Sequence, residues 1–309
     1  MRVIVVGMGI QGRKRRAIAA GDVVATVDPD VAEADFRHID DVEPGLYDAA
    51  LVCTPDEPKL DLIGDLLRIG KHVLVEKPLS IGRGERLQAL NALARERGLV
   101  CYTAYNHRFE PHFVRMRDCI ASGRLGRLYT LRLFYGNGTA RDVRNSPWRD
   151  RGAGVLPDLA SHLLDTLRFW LGDLDDGFVV RAAHRFENKA FDHVVVDRPG
   201  TPHIQLEMSL LSWRNHFTAE LVGEHGAATI ESLCKWGPST FTLRERMLPS
   251  GRPPEEAVTL IQPDPTWALE YNHFLSLCHA RQADGLERDI WLDRVIGRLC
   301  RDALTSASA

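Results

Sequence analysis

The sequence predicts two domains of different class: an α/β domain with a doubly wound parallel sheet over residues 1–105, and an α+β domain with an open, mostly antiparallel sheet over residues 106–309. The first is indicated by apolar runs that alternate with amphipathic stretches from Met1 to Thr103, as strands and helices do around a parallel sheet. The second is indicated by short strand-like runs that follow one another without helices between Phe178 and Glu231. The third observation is a glycine-rich turn after the first strand.

That first strand, Val3 to Val6, leads into three glycines with G-x-G-x-x-G spacing. Gly7 permits a tight turn, Gly9 lets the backbone approach a pyrophosphate, and Gly12 lets the next helix pack closely on the strand. The helix N-terminus then directs its N–H groups toward the phosphates. We interpret this as the dinucleotide site of a Rossmann domain; the alternative is an ordinary glycine-bearing turn. The predicted phosphate-binding residues are Gly7, Gly9, Ile10, Gln11 and Gly12.

The second strand, Val23 to Val27, ends in an acid, Asp28. Asp28 follows Gly12 by 16 residues, near the roughly 20 at which a carboxylate usually meets the adenosine ribose 2′-OH. Its charge would repel a 2′-phosphate, so the sequence predicts NAD as the cofactor. The intervening basic run, Arg13 to Arg16, is predicted to be a solvated helix face rather than a phosphate clamp.

Two later strands end in residues suited to a ligand site. Ala49 to Thr54 is followed by Pro55, and His72 to Val75 runs into Glu76-Lys77-Pro78. Ligands bind at the carboxyl ends of strands in open α/β sheets, which predicts Lys77 near the nicotinamide end of the cofactor. The alternative for this tripeptide is an ion pair at a loop entry. The remaining elements are the helices Leu60 to Ile69 and Gly84 to Arg97 and the strand Leu99 to Thr103.

The second domain is predicted to begin with a strand and a helix and to continue as successive short strands. The strand is Leu128 to Tyr135 and the helix is Leu156 to Trp170. The strands that follow are Phe178 to Phe186, Asp192 to Val196, Ile204 to Ser212, Phe217 to Val222 and Ala227 to Glu231. Two C-terminal helices, Trp267 to His279 and Arg288 to Asp302, are expected to pack back on the body.

The predicted helix carries an acid–base pair. Asp158 and His162 stand at i and i+4 and so share one helix face, with Asp165 close by at i+7. A carboxylate beside an imidazole can fix the ring and stabilise its protonated form, as general acid–base catalysis requires. The alternative is a pair on the helix surface without a catalytic role.

Arginines surround one tryptophan between Asn137 and Arg151. The planar guanidinium binds two phosphate oxygens at once, and an indole offers a stacking face, so this loop is a candidate phosphate site. The alternative is a solvated loop. The predicted substrate-binding residues are Arg108, Arg141, Arg144, Trp148, Arg149 and His162, and Arg151 is a further phosphate candidate of the loop. Further candidates for lining a sugar or nucleotide-sugar cleft are Trp213, Arg214, His216, Lys235 and Trp236.

Composition excludes several classes of protein. Hydrophobic residues make up 44% of the 309 and charged residues 26%, as in globular proteins. A net charge of −3 argues against a general affinity for nucleic acid or for an anionic membrane. No apolar run reaches the roughly 18 residues that span a bilayer, and a strand begins at residue 2 without a signal-peptide core, so we expect a cytoplasmic protein. Six scattered cysteines without a C-x-x-C pair predict no metal site.

Taken in order, these motifs resemble the Gfo/Idh/MocA oxidoreductases, the family of glucose–fructose oxidoreductase and inositol dehydrogenase. The stretch Tyr105-Asn106-His107-Arg108-Phe109 adds to the resemblance, and Gly152 to Asp165 is similar to the family segment G-G-G-x-x-x-D-x-x-x-H-x-x-D. The chain departs from the family at Ala153, and at Lys59, where many members carry a histidine.

The resemblance implies a NAD-dependent oxidoreductase acting on CH–OH groups, with Lys77, Asp158 and His162 as catalytic residues. His162 would take the hydroxyl proton, Asp158 would orient it or pass the proton on, and Lys77 would hydrogen-bond the same oxygen, the roles of Lys77 and His162 being exchangeable. It also implies a homodimer or homotetramer formed through the C-terminal sheet. The implied cofactor contacts beyond the glycine turn are Asp28, Thr54, Pro55, Glu76 and Lys77.

Known members act on sugars, inositols and nucleotide sugars. Together with the arginine-rich loop, this predicts oxidation of the 3-hydroxyl of UDP-N-acetylglucosamine. The alternatives are a reductase, a NAD-assisted glycosidase, and a non-catalytic NAD-sensing regulator like the relatives of the galactose-pathway repressor. Retention of all three catalytic residues favours an enzyme, because a sensor needs none of them.

Overall fold

A computed structural model describes residues 1–79, 82–146, 149–280 and 285–306. The chain forms two compact units. Unit 1 comprises Met1–Asn106 with Pro265–Arg294, and unit 2 comprises His107–Asp264 with Val295–Ala309.

Unit 1 is built on a five-stranded parallel sheet with the strand order β2-β1-β3-β4-β5. Its strands are β1 Val3–Val6, β2 Val23–Val27, β3 Ala49–Val52, β4 His72–Glu76 and β5 Cys101–Ala104. The connecting helices are α1 Ile10–Ala19, α2 Asp56–Arg68 and α3 Gly84–Glu96, with single 3-10 turns at Ala20–Asp22, Ile39–Asp41 and Pro44–Leu46. The order reverses between β1 and β3, and the turns after these two strands form the switch point where such sheets bind ligands.

Both faces of this sheet are buried, as the β-branched run of β1 predicts. Ile4 and Val6 lie in the core on one face, while Val3 and Val5 lie in the core on the other. This confirms the predicted doubly wound arrangement of the first domain.

Unit 2 contains an eight-stranded sheet with the order β13-β12-β11-β10-β6-β9-β8-β7, in which only β6 and β9 are paired in parallel. Its helices are α4 Pro111–Ala121, α5 Ala140–Arg144 and α6 Val155–Leu171, with 3-10 turns at Asn106–Phe109 and Cys234–Trp236. Its strands are β6 Leu128–Gly136, β7 Val179–His184, β8 His193–Arg198, β9 His203–Ser209, β10 His216–Gly223, β11 Gly226–Glu231, β12 Ser239–Glu245 and β13 Glu255–Leu260.

The predicted mostly antiparallel sheet is confirmed, although the hairpin β12–β13 was not predicted. Its outer strand is largely exposed and carries two consecutive glutamates, Glu255 and Glu256, so it lacks the alternation of a half-buried strand. The helix α6 is buried on most of its surface and packs on α4 and β9.

Two helices complete the chain, α7 Thr266–Ala280 and α8 Glu287–Ser306. The predicted boundary at residue 105 placed both in the second domain, but Pro265–Arg294 belongs to unit 1. The cause is apolar packing, because Tyr271, Phe274 and Leu277 of α7 are buried in the same core as Val3 and Val5 of β1. Within the described ranges, each helix is too short or too polar to cross a bilayer.

Candidate active site

The glycine turn after β1 has the geometry that a dinucleotide requires. Gly7 has φ of +90°, and a Cβ there would lie 2.8 Å from the carbonyl oxygen of Cys53. A Cβ on Gly12 would lie 1.8 Å from the oxygen of Gly7, so the helix packs at a distance that excludes any side chain. Among the described residues, no atom lies within 4 Å of the position that a Gly9 Cβ would take. The turn therefore leaves open backbone at the one glycine that is predicted to face the pyrophosphate.

The first turn of α1 presents the next two predicted residues to solvent. Ile10 has 87% of its surface exposed, which is unusual for a large apolar side chain, and Gln11 is also exposed. No acidic side chain lies in this first turn, so the N–H groups at the helix start keep their positive field for an anionic ligand.

Asp28 is held as a carboxylate at the end of β2. It is only 9% exposed, and its Oδ2 accepts the Met8 N–H at 2.6 Å, while Oδ1 accepts the N–H groups of Asp30 and Val31 at 2.9 and 3.0 Å. Burial alone would raise the pKa of Asp28, but these three backbone donors outweigh it and lower the pKa. A carboxylate has about four lone-pair positions, so acceptor capacity remains for a ribose hydroxyl.

Thr54 and Pro55 follow β3, the strand on the other side of the switch point. Pro55 is exposed and Thr54 half-buried. The Thr54 hydroxyl is buried and, within the described ranges, has no hydrogen-bond partner. An orphaned hydroxyl beside the glycine turn fits a site that a cofactor completes.

The basic run of α1 is not a uniformly solvated face, and for Arg15 that prediction was wrong. Arg15 is 1% exposed; its Nε donates to Glu76 Oε1 at 2.7 Å and its Nη2 to Glu270 Oε2 at 2.6 Å. Two carboxylates compensate one buried guanidinium, which is the only way such a charge is tolerated. Burial raises the pKa of Glu270 to about 7 despite the neighbouring Arg15. Glu76, predicted to contact cofactor, is thus part of a structural ion pair.

In unit 2, Asp158 and His162 lie one turn apart on α6. His162 is 7% exposed, and its ring stacks on that of His107 with centroids 4.1 Å apart and planes inclined by 20°. The ring of Tyr135 lies 5.7 Å from that of His162. Burial raises the pKa of Tyr135, and the charges of Asp158 and Glu110 raise it further, so its hydroxyl stays protonated.

His107 and Tyr135 were missed as site residues, because nothing local links a loop residue and a strand residue to α6. His107 is 1% exposed, and its Nε2 lies 3.4 Å from Lys235 Nζ. The only sequence signal was that His107 lies in the family-like stretch that begins at Tyr105. The stack on His107 restrains the orientation of the His162 ring.

Arg108 makes a contact that the sequence did not predict. Its guanidinium makes three hydrogen bonds to the carboxylate of Asp165, at 2.8 to 3.1 Å, and Asp165 is 1% exposed. This bidentate pair fastens the loop that carries His107 to α6. The contact of Arg108 with the substrate stays a prediction.

The arginine-rich loop is described except for Pro147 and Trp148, so the prediction for Trp148 lies outside the described residues. It is not a loop throughout, because Arg141 and Arg144 lie on the short helix α5. Arg141, Arg144 and Arg151 are exposed and Arg149 is half-buried. Arg144 approaches Glu187, 4.0 Å away. Three of the further candidates, Arg214, His216 and Trp236, line one cavity of about 780 Å³ in unit 2.

One buried cluster offers metal-ligand atoms: those of Glu110, Cys234 and Asp264 lie within 4.8 Å of one another. Burial raises the pKa of both Glu110 and Cys234, which favours their protonated forms.

The sequence matches two family models. Residues 1–105 match a model of an oxidoreductase family with the NAD-binding Rossmann fold, and residues 113–229 match the GFO/IDH/MocA C-terminal domain. Together they cover more than two thirds of the chain.

One related sequence and two solved structures are similar to this chain. Inositol 2-dehydrogenase of Rhizobium meliloti is 30% identical over 164 residues, 51% of this chain and 48% of the relative, so the aligned segment spans about half the length of that protein. A solved levoglucosan dehydrogenase in complex with NADH superposes with a TM-score of 0.83 at 16% identity, over 99% of this chain and 97% of that one. UDP-N-acetylglucosamine 3-dehydrogenase GnnA from Acidithiobacillus ferrooxidans superposes with 0.79 at 18% identity, over 98% and 97%. The predicted fold class and NAD-binding domain are confirmed.

Proposed function

Because the chain belongs to the Gfo/Idh/MocA oxidoreductase family, we propose that it is a NAD-dependent dehydrogenase that oxidises a secondary hydroxyl of a sugar or nucleotide sugar to a ketone. The observation that supports this most strongly is the glycine turn at the switch point of unit 1. It is closed to side chains at Gly7 and Gly12, open at Gly9, and followed by the ionised Asp28. These features fit a dinucleotide with a free ribose 2′-OH.

When bound, NAD⁺ supplies a hydride acceptor at nicotinamide C4. We propose that His162 removes the hydroxyl proton and that Asp158 orients the imidazole or passes the proton on. Lys77, at the carboxyl end of β4, hydrogen-bonds the same substrate oxygen and stabilises its developing negative charge. Lys77 and His162 can exchange these roles, since both a lysine and an imidazole can move a proton.

The specific substrate that we propose is UDP-N-acetylglucosamine, oxidised at its 3-hydroxyl. Its support is the arginine-rich loop, whose exposed Arg141 and Arg144 and half-buried Arg149 are suited to phosphate oxygens. A second support is that the Acidithiobacillus protein, which shares the fold, is named as a UDP-N-acetylglucosamine 3-dehydrogenase. We further propose that two or four copies associate through the eight-stranded sheet.

The arginine loop yields a direct prediction. If it binds the substrate diphosphate, alanine at one or more of Arg141, Arg144, Arg149 and Arg151 should weaken substrate binding by roughly tenfold to a hundredfold, the worth of one charge-assisted hydrogen bond. NAD affinity should not change. Isothermal titration with UDP-N-acetylglucosamine and with NAD⁺ measures both. If all four variants bind the sugar nucleotide normally, the loop is solvated surface and the nucleotide-sugar proposal loses its support.

The cofactor preference follows from Asp28. Its carboxylate would lie against a 2′-phosphate, and two such charges at close range should make NAD⁺ bind tighter than NADP⁺ by about tenfold or more. Asp28→Asn removes the charge with little change of shape and should reduce the difference between the affinities for NAD⁺ and NADP⁺. Fluorescence titration of both cofactors against both proteins tests this. Equal or tighter binding of NADP⁺ by the wild type would contradict the role of Asp28.

The class of reaction is tested by screening UDP-sugars, free sugars and inositols with NAD⁺ while following the absorbance of the reduced nicotinamide. The proposal predicts turnover with at least one of them. A protein that binds NAD⁺ but turns over nothing in the panel would be a sensor. Hydrolysis of a glycoside without net NADH would indicate the NAD-assisted glycosidase, and turnover only of ketones with NADH would indicate the reductase.

A further inference from the structure

Lys59, one of the two departures from the family pattern, is buried in the first turn of α2. Only 2% of its surface is exposed. Its Nζ donates to Asp56 Oδ1 at 2.7 Å and to the carbonyl oxygens of Glu76 and Pro78, both at 3.2 Å. A lysine is almost never buried to this extent unless its charge is compensated, so the three contacts account for its position.

The two carbonyls that Lys59 binds belong to the residues immediately before and after Lys77. An ammonium has three donors, and here one meets a carboxylate while the other two fasten the backbone on both sides of a single residue. The Glu76 side chain is held separately by Arg15. A histidine could not reproduce this clamp, because one imidazole N–H cannot serve two carbonyls that lie on either side of Lys77.

We propose that Lys59 is a positioning residue for Lys77: it fixes the backbone from which the Lys77 side chain departs, and so sets where the Lys77 ammonium meets the substrate oxygen. This rests on the proposed dehydrogenase function. Misplacement of a catalytic group by about 1 Å can cost on the order of a hundredfold in rate, so a backbone clamp at this point has a large effect on catalysis.

The test compares Lys59→Met with Lys71→Met. Lys71 is a matched control, because its Nζ also donates to two carbonyls, those of Pro44 at 2.6 Å and Tyr47 at 2.7 Å, and neither of these residues is a chain neighbour of Lys77. Lys59→Met should lower kcat by roughly tenfold to a hundredfold with little change in the KM for NAD⁺. Lys71→Met should lower thermal stability while leaving kcat unchanged. Lys59→Arg, which retains several donors, should recover part of the loss.

A second readout does not need turnover. Acetic anhydride labelling of the Lys77 amine, quantified by peptide mass spectrometry, reports how that amine is held. Labelling of Lys77 should be about threefold faster or more in Lys59→Met, because release of the clamp exposes the loop, and unchanged in Lys71→Met. If no substrate is found for the wild type, the proposed function fails while the labelling still tests the clamp. Equal labelling and equal kcat in the two methionine variants would overturn the proposal, and if Lys59→Met does not fold, the same comparison is made with Lys59→Gln, whose shorter neutral side chain cannot hold both carbonyls.

Discussion

Replacing His162 with Asn, or Lys77 with Met, is expected to lower turnover by on the order of 10² to 10⁴, the usual worth of a positioned acid–base group. Each change removes a group that we place on the substrate oxygen, while unit 1 keeps its glycine turn and Asp28. NAD⁺ affinity should therefore be nearly the same as in the wild type. Initial rates at saturating NAD⁺, with NAD⁺ titrations alongside, measure the two effects.

The matched control is His112→Asn. His112 is a second buried histidine of unit 2, 2% exposed, with Nε2 2.9 Å from the Ser239 carbonyl oxygen. This variant should lose stability but keep kcat.

In the His162/Lys77 double variant the losses should not multiply, since groups that serve one proton transfer fail together. Asp158→Asn should cost less than His162→Asn if Asp158 only orients the ring, and more if it carries the proton. Full activity of His162→Asn would disprove the proposed base.

Arg15→Met should lower the free energy of unfolding by about 3–5 kcal/mol, the cost of removing one partner from a buried ion pair. The methionine fills similar space, but Glu270, which is fully buried, loses its nearest cation. Chemical denaturation of wild type and variant at one pH gives the difference. A change within about 0.5 kcal/mol, typical of surface substitutions, would show that the cluster contributes no stability.

The loss of stability in Arg15→Met should depend on pH. Burial raises the pKa of Glu270 to about 7 in the folded protein, and loss of Arg15 should raise the pKa further because the arginine charge lowers it. A carboxyl whose folded pKa exceeds its unfolded value stabilises the fold when protonated, and this stability is lost as the pH rises through the folded pKa. The deficit of the variant should therefore shrink as the pH falls. The double variant Arg15→Met/Glu270→Gln should recover much of the loss at neutral pH, since no buried charge at position 270 remains.

The local parts of this molecule were predictable from the sequence. The β-branched run of β1, the spacing of the three glycines and the acid at the end of β2 each act within a few residues, and the structure places them as predicted. The position of Asp158 and His162 one turn apart on α6 likewise follows from helical spacing alone.

What the sequence did not reveal depends on long-range packing. Arg15 and Glu270 are 255 residues apart, so a basic run gave no sign that one of its members is buried. The return of α7 to unit 1 depends on Phe274 reaching the core beside β1, and the stack of His107 on His162 depends on a loop fastened by Arg108. In each case the partner lies on another element, where no periodicity can indicate it.

In the dehydrogenase that we propose, hydride passes from a hydroxyl-bearing carbon of a sugar to NAD⁺. Mass spectrometry of the cofactor after turnover of a sugar deuterated at every ring carbon tests it most directly. We expect the reduced nicotinamide to gain one deuterium, and the His162→Asn protein to form it at least on the order of a hundredfold more slowly. Reduced cofactor without deuterium, or none at all across sugars, inositols and nucleotide sugars, would contradict it.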